Sequence, residues 1–128
     1  MTKRILIAED DTAIAMTLMI GLRSIPDVEV IRAYHGEEAL NIWLHEPCDI
    51  LLTDHHMREM SGLDLIRALR SQGATQPMLM ITAYDSVKLQ REAREAGATE
   101  LIAKPFFIDQ LIDKVSEKLL DVSVVIHA

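Results

Sequence analysis

Five short apolar runs alternate with five amphipathic stretches along this chain. The apolar runs predict strands at 4–8, 28–33, 49–53, 77–82 and 100–103. The stretches between and after them predict helices at roughly 12–24, 36–45, 62–72, 86–96 and 107–121. Strands alternating with helices of this length indicate βαβ units and a parallel sheet. Ile5-Leu6-Ile7, Ile50-Leu51-Leu52 and Leu79-Met80-Ile81 are apolar on both sides of the strand, as central parallel strands with helices on both faces should be. Val28-Glu29-Val30-Ile31-Arg32 alternates more and suits an edge strand. The punctuation agrees: Pro26-Asp27 separates the first helix from the second strand, Gly73 and Gly97 fall where helices three and four should end, and Ser61 and either Asp85 or Ser86 are N-caps.

Two helices carry unusual patterns. The first is apolar nearly all round, through Ala13, Ile14, Ala15, Met16, Leu18, Met19, Ile20 and Leu22, whereas a helix with one buried face is apolar on a stripe. Leu18 and Leu22 are expected to face the core, leaving Ile14 and Thr17 exposed. In the last helix Leu111, Val115 and Leu119 continue in step to Val122 and Ile126, so it is expected to extend beyond 121 or to end in an apolar tail over 122–128. Val124-Val125-Ile126 is poor helix material.

Composition narrows the class. With 128 residues, 49% of them hydrophobic, the chain is expected to form one domain with a full core. A net charge of −7 argues against direct nucleic-acid binding. No run of 18 apolar residues is present, so no membrane span is expected, and the N-terminus lacks the long apolar region of a secretion signal. A cytoplasmic protein is the resulting expectation. Cys48 is the single cysteine and reads as a core or edge thiol. Trp43 reads as a half-buried anchor, the seven methionines as core or partner surface, and His35, His45 and His127 as surface residues.

The chemistry gathers at strand ends. In a parallel sheet all strand C-termini share one edge, where ligands bind. The first strand runs into Glu9-Asp10-Asp11, the third into Asp54, the fourth into Thr82 and the fifth into Lys104-Pro105. Three carboxylates brought to about 5 Å at an effective dielectric of ~20 repel by about 3 kcal/mol per pair. A hard dication with oxygen ligands offsets that cost, and Mg²⁺ typically takes one or two carboxylates together with waters and phosphate oxygens. Taken singly, each residue has a plainer reading: solvated loop acids, a surface lysine, a threonine favoured by strand propensity. The peptide before Pro105 is one that can be cis. His55-His56 does not suit a transition metal, because neighbours on an extended segment point opposite ways.

The order Glu9-Asp10, Asp54, Thr82-Ala83 and Lys104-Pro105-Phe106 resembles the receiver domain of two-component response regulators, and the resemblance covers the whole chain. It implies a CheY-like, flavodoxin-like (βα)5 fold: a doubly wound five-stranded parallel sheet in strand order 2-1-3-4-5. The implied domain occupies 1–128, with its core at 3–121. The implied roles are Asp54 as phosphoacceptor, Glu9, Asp10, Asp54 and the His56 backbone carbonyl as Mg²⁺ ligands, and Thr82 and Lys104 as phosphoryl-binding groups. The implied donor is a sensor histidine kinase or a histidine phosphotransfer protein, docking on the first helix at Ile14 and on the loop at Pro105-Phe106. Output passes to an unidentified downstream protein, or to a homodimer through helix four, strand five and helix five. Such a protein is a signalling switch rather than a metabolic enzyme.

Two departures from the family pattern stand out. Arg58 follows Met57 where proline is usual, and Leu101 stands where an aromatic residue is usual. The second removes the familiar rotating ring, so the loop at Ala83–Ser86, with Tyr84, is expected to carry the change instead. The weighed alternatives are a degenerate receiver that binds partners without phosphorylation and an aspartate-nucleophile phosphatase. The latter usually has a second acid two residues after the nucleophile, where this chain has His56. A flavin-binding module fits worst, since no Gly- or Ser/Thr-rich phosphate loop follows the first strand.

Overall fold

The computed structural model describes residues 2–83 and 86–120. Five strands and five helices alternate: β1 Lys3–Ala8, α1 Thr12–Leu22, β2 Val28–Ala33, α2 Gly36–His45, β3 Ile50–Asp54, α3 Gly62–Ser71, β4 Met78–Thr82, α4 Val87–Ala96, β5 Glu100–Ala103 and α5 Ile108–Leu119. The strands form one parallel sheet in the order β2-β1-β3-β4-β5, with the alternating β2 at an edge as its pattern required.

Side-chain alternation along the strands divides the core in two. Ile5, Ile7, Ile50, Leu52, Leu79 and Ile81 point to the face covered by α1 and α5, where they meet Leu18, Leu22, Leu111 and Val115. Leu6, Leu51, Met78 and Met80 point to the other face and meet Trp43 of α2, Leu65 and Leu69 of α3, and Ala93 of α4. A period of two on strands that are apolar throughout therefore generates two apolar layers, and each is covered by helices. Gly21 lets α1 and α5 approach: a Cβ there would lie 2.7 Å from the Ile108 side chain.

Local signals set most boundaries. Ser61 and Asp64 form a reciprocal capping box on α3, Ser86 caps α4 by accepting from the Leu89 N–H, and Gly97 ends α4 at φ 104°. α1 stops at Leu22, short of the expected 24, because a tight turn takes over: the Ser24 and Ile25 N–H groups donate to the Gly21 and Leu22 carbonyls. β3 runs one residue further than expected and includes Asp54 itself. Trp43 is buried at 3% exposure rather than half-buried, since α2 packs it onto the sheet beneath α3. Cys48 is buried as expected, and burial pushes its thiol up to about 11. Met16 and Ile20 account for the excess apolarity of α1, at 45% and 65% exposure, while Ile14 is half-buried rather than fully exposed. The apolar tail over 122–128, Tyr84, Asp85 and His127 lie outside the described residues.

Candidate functional site

The C-terminal ends of β1, β3, β4 and β5 bring the expected residues to one edge. Asp54 closes β3 beside Ile81 of β4, and the His55 N–H donates to the Ile81 carbonyl at 2.9 Å. This extends the ladder past the strand and holds Asp54 in line. The buried Thr53 hydroxyl donates to the Asp54 carbonyl at 2.9 Å. Gly62 closes the loop after Asp54, its N–H donating to the His55 carbonyl at 2.9 Å. A Cβ at Gly62 would sit 2.5 Å from the Asp54 carbonyl oxygen, so the loop's close return requires glycine.

Glu9 and Asp54 are buried at 2% and 6% exposure, while Asp10 is exposed. Single oxygens of Glu9, Asp10 and Asp54 all lie within 4.8 Å of one another. Asp11 is not part of this group: its side chain accepts from the Ile14 N–H at 3.0 Å and caps α1. Adjacency in sequence had placed it in the cluster; helix initiation takes it out.

Lys104 supplies the positive charge. Its Nζ donates to Asp54 Oδ1 at 2.9 Å and lies 4.0 Å from Glu9 Oε1. The strand end is held by the Lys104 N–H, which donates to the Thr82 carbonyl at 2.8 Å, and the Lys104-Pro105 peptide is cis. Thr82 is fully buried at the end of β4, paired in register with Ala103. One ammonium faces more than one carboxylate here. Burial pushes the Glu9 carboxyl up to about 7, the Asp54 charge adds to the rise, and the Asp11 N–H and Lys104 only partly oppose it. His56 is exposed, and burial holds the neighbouring His55 imidazole below its ordinary range.

A hard divalent cation fits this donor set. All three groups are oxygen donors, they already converge, and Lys104 Nζ is shared between Asp54 and Glu9. The sequence did not point to Arg32, on the edge strand, whose guanidinium reaches the backbone of the acid loop. A basic residue at the C-terminal end of the edge strand, next to the strand that leads into the acid loop, was the available signal.

The model of the response regulator receiver domain matches residues 5–116. The chain belongs to that family, whose members are the receiver domains of two-component systems and act as signalling switches. It is 36% identical over 115 residues to the response regulator MprA of Mycobacterium bovis (strain BCG / Pasteur 1173P2), covering 90% of this chain and 50% of that protein. A Mycobacterium avium MprA is 36% identical over 112 residues, covering 88% and 49%. The chain thus spans about half the length of the curated relatives it matches. Among solved structures, a CheY-like receiver domain protein from Methanospirillum hungatei JF-1 superposes with a TM-score of 0.86 at 31% identity, covering 93% of this chain and 94% of that one. Chemotaxis protein CheY4 of Vibrio cholerae gives 0.86 at 27% identity, covering 94% and 100%. The fold is flavodoxin-like, with the strand order that the resemblance implied.

Proposed function

We propose that this chain, as a single receiver domain, accepts a phosphoryl group from a phosphohistidine onto Asp54 with Mg²⁺ bound, and signals through a changed partner surface. The observation that carries this reading is the convergence of Glu9, Asp10 and Asp54 oxygens within 4.8 Å, with Lys104 Nζ at 2.9 Å from Asp54. Phosphoryl transfer needs positioning and charge neutralisation more than acid–base groups. An Asp54 carboxylate oxygen attacks phosphorus, the O–P bond forms as the P–N bond of the donor breaks, and the imidazole nitrogen keeps the electron pair. Glu9, Asp10, Asp54 and the His56 carbonyl would hold Mg²⁺, which would supply charge neutralisation for the phosphoryl oxygens. Lys104 moves from the Asp54 carboxylate to a phosphoryl oxygen, and the Thr82 hydroxyl donates to another.

The donor is a sensor histidine kinase or a histidine phosphotransfer protein. A shallow, mostly apolar groove of about 540 Å³ lies beside Lys104, between Ala13, Ile14 and Thr17 of α1 and Pro105-Phe106. A donor helix bundle seats there. Leu101 is half-buried against the α2–α4 layer, so no ring turns inward at that position. The change passes instead from Thr82 through the segment 83–86 to the α4–β5–α5 face, where Val87 and Phe107 are 79% and 74% exposed. That face meets a downstream protein or a second copy. Among the described residues no helix is long and apolar enough to cross a membrane; we place the protein in the cytoplasm, with no direct nucleic-acid contact at a net charge of −7.

Incubation with acetyl phosphate and Mg²⁺ is expected to add one phosphoryl group, about 80 Da by intact mass, and Asp54→Asn is expected to abolish it. Absence of the adduct with acetyl phosphate and with a phosphorylated donor would make the chain a phosphorylation-independent binding module. Ile14→Glu is expected to slow transfer from a phosphohistidine donor while sparing acetyl phosphate; equal loss with both would exclude the groove as the donor site.

A further inference from the structure

Arg32 reaches from β2 across the end of β1. Its Nε and Nη2 donate to the Glu9 carbonyl at 3.2 and 3.1 Å, and Nη2 also approaches the Asp10 carbonyl at 3.4 Å and Thr12 Oγ1 at 3.5 Å. The Tyr34 ring lies against the guanidinium carbon, 4.0 Å from ring centroid to Cζ. Tyr34 is in turn tied to α2, its N–H donating to Glu38 Oε1 at 2.9 Å. β1 lies between β2 and β3 in the sheet. With the Glu9 and Asp10 carbonyls held on the β2 side, both carboxylates meet Asp54 of β3 on the other.

The use of the guanidinium is telling. Arginine beside several acids ordinarily forms forked pairs with carboxylates. Here the guanidinium hydrogen bonds go to the Glu9 and Asp10 carbonyls and, at 3.5 Å, to the Thr12 hydroxyl, and the two carboxylates stay available to a cation. We propose that Arg32 is the positioning residue of the acid loop: gripping the Glu9 and Asp10 carbonyls, it presets their carboxylates for Mg²⁺ without competing for them. This rests on the metal reading of the site given above.

The sign of the effect separates positioning from charge. A fixed cation near a dication site repels the dication, so charge alone predicts that removing Arg32 tightens Mg²⁺ binding. Loss of positioning weakens it. Groups that orient metal ligands typically change metal affinity by about tenfold to a hundredfold when removed. The test is titration of the wild-type chain, Arg32→Met and Arg32→Lys with Mg²⁺ alone, read by backbone amide shifts of the folded protein. Amide exchange is measured in parallel on the metal-free proteins. Arg32→Met is expected to raise the Mg²⁺ Kd by about tenfold or more. Arg32→Lys keeps the charge but not the fork, and is expected to fall between the two. The Asp11 N–H, which donates to Glu9 Oε2 at 3.2 Å, is expected to exchange faster in Arg32→Met while the Leu52 amide of the core does not. An unchanged or tighter Kd in Arg32→Met, full retention of affinity in Arg32→Lys, or equal acceleration at Asp11 and Leu52 would each overturn the proposal. A wild-type chain indifferent to Mg²⁺ would instead sink the metal reading, and the Asp11 exchange would then decide whether Arg32 positions the loop.

Discussion

Glu9 and Glu100 stand at opposite edges of one sheet, and their surroundings differ in kind. Glu100 begins β5 and faces two ammonium groups, Lys114 Nζ at 2.9 Å and Lys118 Nζ at 3.6 Å. The Lys114 hydrogen bond, ahead of every other influence, holds its carboxyl below the ordinary range. Glu9 follows β1, is buried beside Asp54, shares one lysine with it, and is pushed up to about 7. The lower edge is satisfied elsewhere too: Arg70 donates to the Gly97 carbonyl at 2.8 and 3.0 Å and to the Ala74 carbonyl at 3.0 Å, and Asp49 accepts from the Arg4 N–H at 2.7 Å. One edge has its charges answered and serves the fold. The other gathers three carboxylates around one lysine, two of them buried, and is the edge where the proposed cation would sit.

Magnesium gives the largest contrast. Mass action stabilises a folded state that alone binds the ligand by about 2.7 kcal/mol at a hundredfold excess over Kd. The wild-type melting temperature is expected to climb with Mg²⁺ accordingly, and Asp10→Asn to lose most of the climb while melting higher than wild type without metal. A midpoint indifferent to millimolar Mg²⁺ would remove the distinction between the edges. Next comes pH, without metal. A carboxyl raised from 4.5 to about 7 holds its proton more tightly when folded. Its contribution is therefore complete below the unfolded value and is lost as pH rises through about 7. Glu9→Gln, which stays neutral, is expected to gain on wild type between pH 5 and 8 by an amount on the order of 2 kcal/mol. A flat difference between the two melting curves over that window would contradict the raised carboxyl. The smallest effect belongs to the lower edge. Glu100→Gln is expected to cost about 0.2–1 kcal/mol, as half-exposed ion pairs do. Its pH dependence runs the other way, because a depressed carboxyl contributes above the unfolded value and loses that contribution as pH falls through the folded one. Denaturant melts at pH 7 and 3.5 would show it; a loss larger than that of the Glu9 cluster's response to Mg²⁺ would reverse the ranking.

Much of this protein was legible in its sequence because the signals are local. Strand alternation, helix periodicity, Gly97 as the end of α4 and Ser61 as the N-cap of α3 depend on neighbours a few residues away, and both caps appear where the pattern put them. The parallel sheet then brings strand ends together, so the sequence alone puts Glu9, Asp10, Asp54, Thr82 and Lys104 on one edge. What only the tertiary structure decided depends on partners distant in sequence or hidden in the backbone. Asp11 looked like a member of the acid cluster until its side chain was seen to cap α1. Trp43 is buried rather than half-buried because α2 packs it onto the sheet. Arg32 read as an edge-strand charge, and its shortest hydrogen bonds run to a carbonyl 23 residues away, which carries no side-chain signature. The raised Glu9 carboxyl likewise requires the burial and the neighbouring Asp54 charge that folding supplies. Composition and spacing determined which groups meet; the dielectric around them, and which group each hydrogen bond serves, were set only once the chain had packed.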